Sequence, residues 1–262
     1  MTAASRLLDR WRTPDRSPIP DPPLPLMEAI GATDAASFHA VGDEFAGLFE
    51  RFGLITSASR VLDVGCGSGR IAIALTKKLS RAGRYEGFDI DPPLIEWAQR
   101  EITPRFPNFR FQVADVHNER YNPGGTTPAR DYRFPYRSKF DFVFLTSVFT
   151  HLLPDDLANY TAEISRVLKP GGHALFTAFL LNNVSLEAID RRQPEYPTFQ
   201  FDHGIHRVHN PSVPEEAVAY NETFVRELVA RFGLQVVEPA YYGSWSGRPD
   251  HLSFQDILIV RK

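Results

Sequence analysis

Between residues 60 and 260 the chain alternates short apolar runs with stretches in which apolar residues recur every third or fourth position. The runs 60–64, 85–90, 109–116, 140–145 and 173–179 predict buried strands, the fourth so apolar that it belongs in the middle of a sheet. Helices are expected over 71–79, from Pro92-Pro93 onward with Asp91 as cap, and from Pro154 onward with Asp155 and Asp156 in the first turn. Lys169-Pro170-Gly171-Gly172 predicts the stop of that last helix and a turn. Residues 215–232 read as another helix, closed by Gly233, and 235–240 and 256–260 as two further strands. Ahead of the alternation, Phe38, Val41, Phe45, Leu48, Phe49 and Phe52 share one helical face and predict a helix over 35–52. Six prolines between Pro14 and Pro25 exclude both helix and central strand there.

Strand–helix alternation of this kind means an α/β fold, a mostly parallel sheet covered on both faces, with ligands at the carboxyl ends of its strands. Two stretches break the rhythm. Residues 118–139 stand where a crossover helix is expected and are rich in Pro, Gly and Arg. Residues 182–214 form a polar insertion with four prolines and three histidines, and their place after the fifth strand predicts a lid over a ligand. The division expected is an N-terminal extension and helix over 1–55 and a main domain over 56–262.

Composition narrows the class. A net charge of −3 without a basic run argues against a nucleic-acid groove, and the single cysteine, Cys66, points to a reducing cytoplasm. The first fifteen residues lack the apolar core of a secretion signal, and no run approaches the ~20 apolar residues of a membrane span.

The chemistry concentrates in Val61-Leu62-Asp63-Val64-Gly65-Cys66-Gly67-Ser68-Gly69-Arg70, a glycine-rich turn between strand and helix. Its G-x-G-x-G spacing departs from the G-x-G-x-x-G of dinucleotide sites. With Gly87-Phe88-Asp89-Ile90-Asp91, Val113-Ala114-Asp115-Val116, Phe140-Asp141-Phe142-Val143 and Arg166-Val167-Leu168-Lys169-Pro170-Gly171-Gly172 following in order, the chain resembles the class I S-adenosylmethionine-dependent methyltransferases. The resemblance implies a Rossmann-like, doubly wound, seven-stranded sheet in the order 3-2-1-4-5-7-6. It also implies that Asp63, Gly65, Cys66, Gly67, Gly69, Arg70, Asp89, Ile90, Ala114, Asp115, Val116, Thr146 and Ser147 hold S-adenosylmethionine, Asp89 on the ribose and Asp115 near the adenine.

His151 follows the fourth strand, where the resemblance places the transferable methyl; a neutral imidazole there can take a proton from an attacking hydroxyl, or instead hydrogen-bond the cofactor or fix the turn. In the insertion, Asp202, His203, His206 and His209 offer carboxylate and imidazole groups. Substrate hydrogen bonds are expected from Asp202, His203 and His206 in preference to a divalent metal site. Near the carboxyl end, Tyr242, Trp245 and Arg248 suit stacking on an acceptor. The function expected is O-methylation of a saccharide, glycoside or related small molecule by a cytoplasmic enzyme, with homo-oligomerisation compatible with it. The alternatives are N-, S- or C-methylation, or a binding protein without turnover.

Overall fold

The computed structural model describes residues 17–137, 140–192 and 196–262, and the first fifteen residues, expected not to be a secretion signal, lie outside them. No helix among the described residues is long and apolar enough to cross a membrane. The main sheet consists of β1 (Arg60–Val64), β2 (Arg84–Asp89), β3 (Phe109–Val113), β4 (Phe140–Leu145), β5 (Leu168–Ala178), β6 (Gln235–Val236) and β7 (Asp256–Arg261). They lie in the order β3-β2-β1-β4-β5-β7-β6, as expected, with only β7 antiparallel to its neighbours.

Both faces of this sheet are apolar because both are covered. Successive side chains of a strand point to opposite sides. Leu62, Val64, Val143, Leu145, Phe176 and Leu258 accordingly pack in one core with the helices Pro154–Val167 and Glu222–Arg231. Val61, Phe142, Phe144, Leu175 and Ile259 pack in a second core with the helices Ala35–Arg51, Arg70–Leu75 and Pro92–Glu101. Phe49 meets both Phe142 and Phe144 at 4.8 Å between ring centroids.

The first long helix starts where Asp34 accepts the Ser37 backbone N–H at 2.7 Å, and it crosses the start of the helix Arg70–Leu75 at Gly42. A methyl there would stand 2.4 Å from the Arg70 carbonyl oxygen, a backbone atom that cannot turn aside. Gly42→Ala gains helix propensity of about 1 kcal/mol yet is expected to be destabilising by about 1–3 kcal/mol, because overpacking outweighs that gain. Thermal unfolding monitored by circular dichroism checks the sign; a stabilised variant would refute the close approach.

Five expectations change. A short helix, Leu24–Glu28, begins inside the proline-rich stretch expected to hold none, with Pro25 in its first turn, where a proline's missing N–H costs nothing. Residues 218–221 are a strand, not helix: Val218–Asn221 pairs antiparallel with His206–Val208 and parallel with Leu180–Leu181. The helix begins only at Glu222, where the Asn221 side chain accepts from Thr223 N–H at 2.9 Å. Lys169-Pro170-Gly171-Gly172 is not a turn outside the sheet but a bulge within β5. Phe140 pairs with Leu168 and Phe142 with His173, so the intervening residues are looped out, with Gly171 at φ 76°. The third strand stops at Val113, short of 116, and Val116–His117 pairs separately with Thr127–Pro128. Asp91 precedes the helix Pro92–Glu101 without capping it through its side chain.

The insertion has structure of its own. A helix, Asn183–Asp190, is followed by the hairpin of Phe201–Asp202 and His206–Val208, which joins Val218–Asn221 and Leu180–Leu181 in a four-stranded sheet.

Candidate functional site

A cavity of about 450 Å³ opens at the carboxyl ends of β1, β2 and β4, within the range of small-ligand sites. One side is the glycine turn. Gly65, Gly67 and Gly69 all have positive φ (78°, 54° and 85°), a region that L side chains rarely adopt. The turn is tied to the next strand, since Gly65 N–H and Cys66 N–H both donate to the Phe88 carbonyl, at 2.9 and 3.1 Å. Beyond it, Asp89 accepts from Gly67 N–H at 2.7 Å and Asp91 N–H at 3.0 Å. Burial raises the Asp89 carboxyl above its ordinary value, and those two amide bonds pull it back down.

Asp63 is more deeply buried, at 1% exposure. Tyr85 donates its hydroxyl hydrogen to Asp63 Oδ2 at 2.5 Å, and Oδ1 has no partner among the described residues. Burial pushes this carboxyl up to about 8. A buried acceptor left unpaired on a cavity wall is costly unless a ligand donates to it.

The opposite end of the cavity is built by loops. Thr146 and Ser147 continue from β4, and Ser147 takes the left-handed φ of 58°. Its N–H donates to Thr177 Oγ1 at 2.8 Å and its hydroxyl to Gln255 at 3.2 Å, which hold that strained backbone in place. His151 lies on the same wall. Its Nδ1 is 2.9 Å from the Glu215 carbonyl oxygen. A carbonyl only accepts, so in neutral imidazole Nδ1 carries the hydrogen and Nε2 the lone pair. Burial lowers its pKa below the ordinary histidine value, partly offset by that bond. Tyr121 stands edge-on to it at 5.1 Å. Tyr121, Tyr196 and Phe254 line the cavity while 40%, 54% and 49% exposed, and so form an aromatic rim.

The sequence model of the family described as a methyltransferase domain matches residues 61–172, the segment that carries the glycine turn, Asp89 and His151. Residues 61–172 thus carry a methyltransferase domain. Among curated relatives, demethylmenaquinone methyltransferase of Lactiplantibacillus plantarum is 31% identical over 143 residues, 55% of this chain and 49% of that protein. Aklanonic acid methyltransferase DauC of a Streptomyces species is 34% identical over 123 residues, 47% and 49%. The chain thus spans about half the length of these relatives. Among solved structures, magnesium protoporphyrin IX methyltransferase from Synechocystis with bound SAH superposes with a TM-score of 0.55 at 14% identity, covering 98% of this chain and 95% of that one. A TehB-like methyltransferase from Corynebacterium glutamicum gives 0.51 at 20% identity, covering 99% and 97%. Both likenesses are of fold.

Within the methyltransferase domain the cavity gathers Asp63, Gly65, Cys66, Gly67, Arg70, Asp89, Ile90, Val116, Thr146, Ser147 and His151. Gly69 does not line it, because it serves as the left-handed N-cap of the helix Arg70–Leu75. Ala114 is buried in the core beside the sheet. Asp115 is turned outward to Thr126, whose N–H it accepts at 2.9 Å along with the Thr126 hydroxyl. Those bonds hold its carboxyl below the usual range, fully exposed to solvent.

The expected acceptor residues lie elsewhere. Asp202 is exposed and paired with Arg207 at 3.0 Å. His203 and His206 stack on each other at 5.0 Å, and His206 lies against Tyr220. His209 accepts Thr198 N–H at 3.1 Å. No group of three metal-ligating side chains occurs among the described residues. Trp245 is buried against Phe179 and Phe199 and donates Nε1–H to Asp256 at 2.9 Å. Tyr242 donates to Glu222 at 2.9 Å, and Arg248 lies over the Tyr242 ring at 4.2 Å. The cluster stacks on itself.

Asp256 also accepts Leu180 N–H and Gly243 N–H at 2.7 and 2.6 Å, and burial pushes its carboxyl up to about 6. Trp245→Phe is therefore expected to cost about 1–3 kcal/mol of stability by removing a donor from a buried carboxylate, while leaving the Michaelis constants unchanged. A variant with normal melting and a raised acceptor constant would restore Trp245 to the acceptor site.

Sequence reasoning missed the cavity's amino-terminal wall of Glu28, Ala29, Ile30 and Gly31, which the Arg70 guanidinium secures by donating to the Ile30 carbonyl at 3.1 Å. It also missed Arg120, Tyr121, Asp156, Tyr196, Glu215, Glu216 and Gln255. The only signal was the length and polarity of the two loops, 118–139 and 182–214, that carry Arg120, Tyr121 and Tyr196.

Proposed function

We propose that this protein transfers the methyl group of S-adenosylmethionine to a hydroxyl of a small-molecule acceptor, with His151 taking the proton. The observation that carries the reading is the imidazole on the cavity wall whose Nδ1–H is committed to the Glu215 carbonyl, which leaves Nε2 to accept. Bound S-adenosylmethionine supplies an electrophilic methyl carbon on a sulfonium leaving group. The residues present fit it. Asp89 keeps lone pairs for a vicinal diol, the unpaired Oδ1 of Asp63 asks for a donor, and the glycine turn lets a ligand approach the backbone. The rest of the protein's task is alignment and exclusion of water.

A saccharide acceptor loses the residues from which it was expected, since Asp202, His203, His206, Tyr242, Trp245 and Arg248 all lie off the cavity. The aromatic rim favours an acceptor with a flat apolar face, a class that includes glycosides through an aglycone or the face of a sugar ring. Incubation with S-adenosylmethionine and a panel of phenolic and glycosidic alcohols tests this. Release of S-adenosylhomocysteine together with an O-methyl product is expected. Methylation of amines or thiols alone would overturn the oxygen assignment.

A further inference from the structure

Contacts that converge on His151 run through one short turn. Residues Pro214–Glu216 make a single 3-10 turn, closed by Glu216 N–H to the Val213 carbonyl at 2.9 Å, and it precedes the strand Val218–Asn221. No sheet ladder fixes its three residues, so its own side chains must hold it. The Glu215 carboxylate accepts Glu119 N–H at 2.8 Å, reaching the loop that follows β3. The Glu216 carboxylate accepts from the Asn210 amide at 2.9 Å and from the Tyr196 hydroxyl at 3.4 Å, both within the insertion region. It also meets the Arg120 guanidinium at 3.5 Å. Arg120 lies over the ring of Tyr121, and Tyr121 stands against His151. The Glu215 backbone carbonyl, between these anchors, is the acceptor of the His151 Nδ1–H.

We propose that the Glu215–Glu216 turn is a positioning device for His151. The contact between Arg120 and Glu216 ties the two loops together across the acceptor end of the cavity and thereby holds the Glu215 carbonyl where it selects the Nδ1–H tautomer. The inference rests on the reading of His151 as the base. Neither glutamate touches the reacting atoms; both act through the imidazole. Were the carbonyl not held, either ring nitrogen could carry the hydrogen. An ion pair this accessible contributes little to stability, so losing it leaves the fold intact while removing the charged link from among the turn's anchors. The Asn210 bond holds the Glu216 carboxyl below its ordinary value, so the pair is ionised at neutral pH. The other charged and titratable groups of this region are His117, Glu119, Arg120 and Tyr121 from the loop after β3, Tyr196 and His209 from the insertion, Glu215 from the turn, and Asp156 from the helix Pro154–Val167.

The test reads the tautomer directly, in the full chain saturated with S-adenosylmethionine and labelled with nitrogen-15 in histidine. In the native protein the His151 ring is expected to give two widely separated nitrogen signals, Nδ1 protonated and Nε2 bare. In Glu216→Ala and in Arg120→Ala the separation should collapse toward the average of exchanging tautomers, with donor affinity by calorimetry unchanged. Glu216→Gln, which keeps a hydrogen-bonding oxygen but not the charge, should fall between. Arg120 lies at the exposed end of the pair, so its variant serves even where Glu216→Ala fails to fold. Native-like ring signals in Arg120→Ala would overturn the proposal. The base assignment fails on a different measurement, undiminished turnover in His151→Ala, so the two failures are told apart.

Discussion

Replacing His151 with alanine is expected to lower turnover about 10²–10⁴-fold, the usual contribution of an aligned general base, while leaving affinity for S-adenosylmethionine intact. The separation is expected because the imidazole's polar contact is to the Glu215 carbonyl and not to the glycine turn or Asp89. The native enzyme's pH profile adds a second check. Burial is the largest influence on His151 and lowers its pKa below 6.5, Arg120 pushes the same way, and the Glu215 carbonyl and Glu216 push back. A base works in its deprotonated form, and a lowered pKa makes that form dominant at lower pH. The rising limb of turnover should therefore lie below pH 6.5, with the rate already level at neutrality. Near-normal turnover in the variant would move the role to another group on the wall. Asp156 and Glu215 are the first to consider, since burial raises both carboxyls and brings them closer to proton exchange at neutral pH. Loss of donor affinity in step with turnover would make His151 a support of the cavity.

The parts of this molecule that a linear reading captures are those whose cause is local. Phe142 through Leu145, and Val61 through Val64 apart from Asp63, are apolar on both sides of the strand because helices cover both faces, and that requirement leaves apolar runs in the chain. The glycine turn is equally legible, since left-handed backbone at Gly65 and Gly67 demands residues without a Cβ. What escapes is set by distant partners. Val218-Ala219-Tyr220 adjoins a helix and extends its apolar pattern, yet it becomes a strand because Leu180–Leu181 and His206–Val208 offer ladders on either side. Reading it as helix also hid the Glu215–Glu216 turn. The Tyr242–Arg248 stretch has a composition suited to stacking on a ligand, but Phe179, Phe199 and its own arginine take those faces. Composition cannot say whether the stacking partner is a ligand or the protein. Asp115 sits at a strand end as the resemblance requires, and only the loop bringing Thr126 alongside turns its carboxylate away.

Asp89→Ala is expected to weaken S-adenosylmethionine binding by about 1.5–3 kcal/mol, the range for losing hydrogen bonds to a charged group, or roughly 10–150-fold. In the proposed donor complex the carboxylate would act in two ways. Its oxygens have lone pairs beyond those used by Gly67 N–H and Asp91 N–H, and the first of these bonds also fixes the glycine turn against which the donor is proposed to lie. Asp89→Asn should be nearly as damaging despite its shape. Two amide hydrogens bind to the oxygens of the carboxylate, one to each, so an asparagine must set its own NH₂ against either Gly67 N–H or Asp91 N–H. Asp115→Ala supplies the contrast, because a carboxylate spent on Thr126 in solvent should leave affinity nearly unchanged. Calorimetric titration of the three variants against S-adenosylmethionine decides the matter. Equal affinity in Asp89→Ala and the native protein would remove Asp89 from the donor site. A loss in Asp115→Ala as large as in Asp89→Ala would mean that the loop from 116 to 128 swings its acid onto the donor when the donor binds.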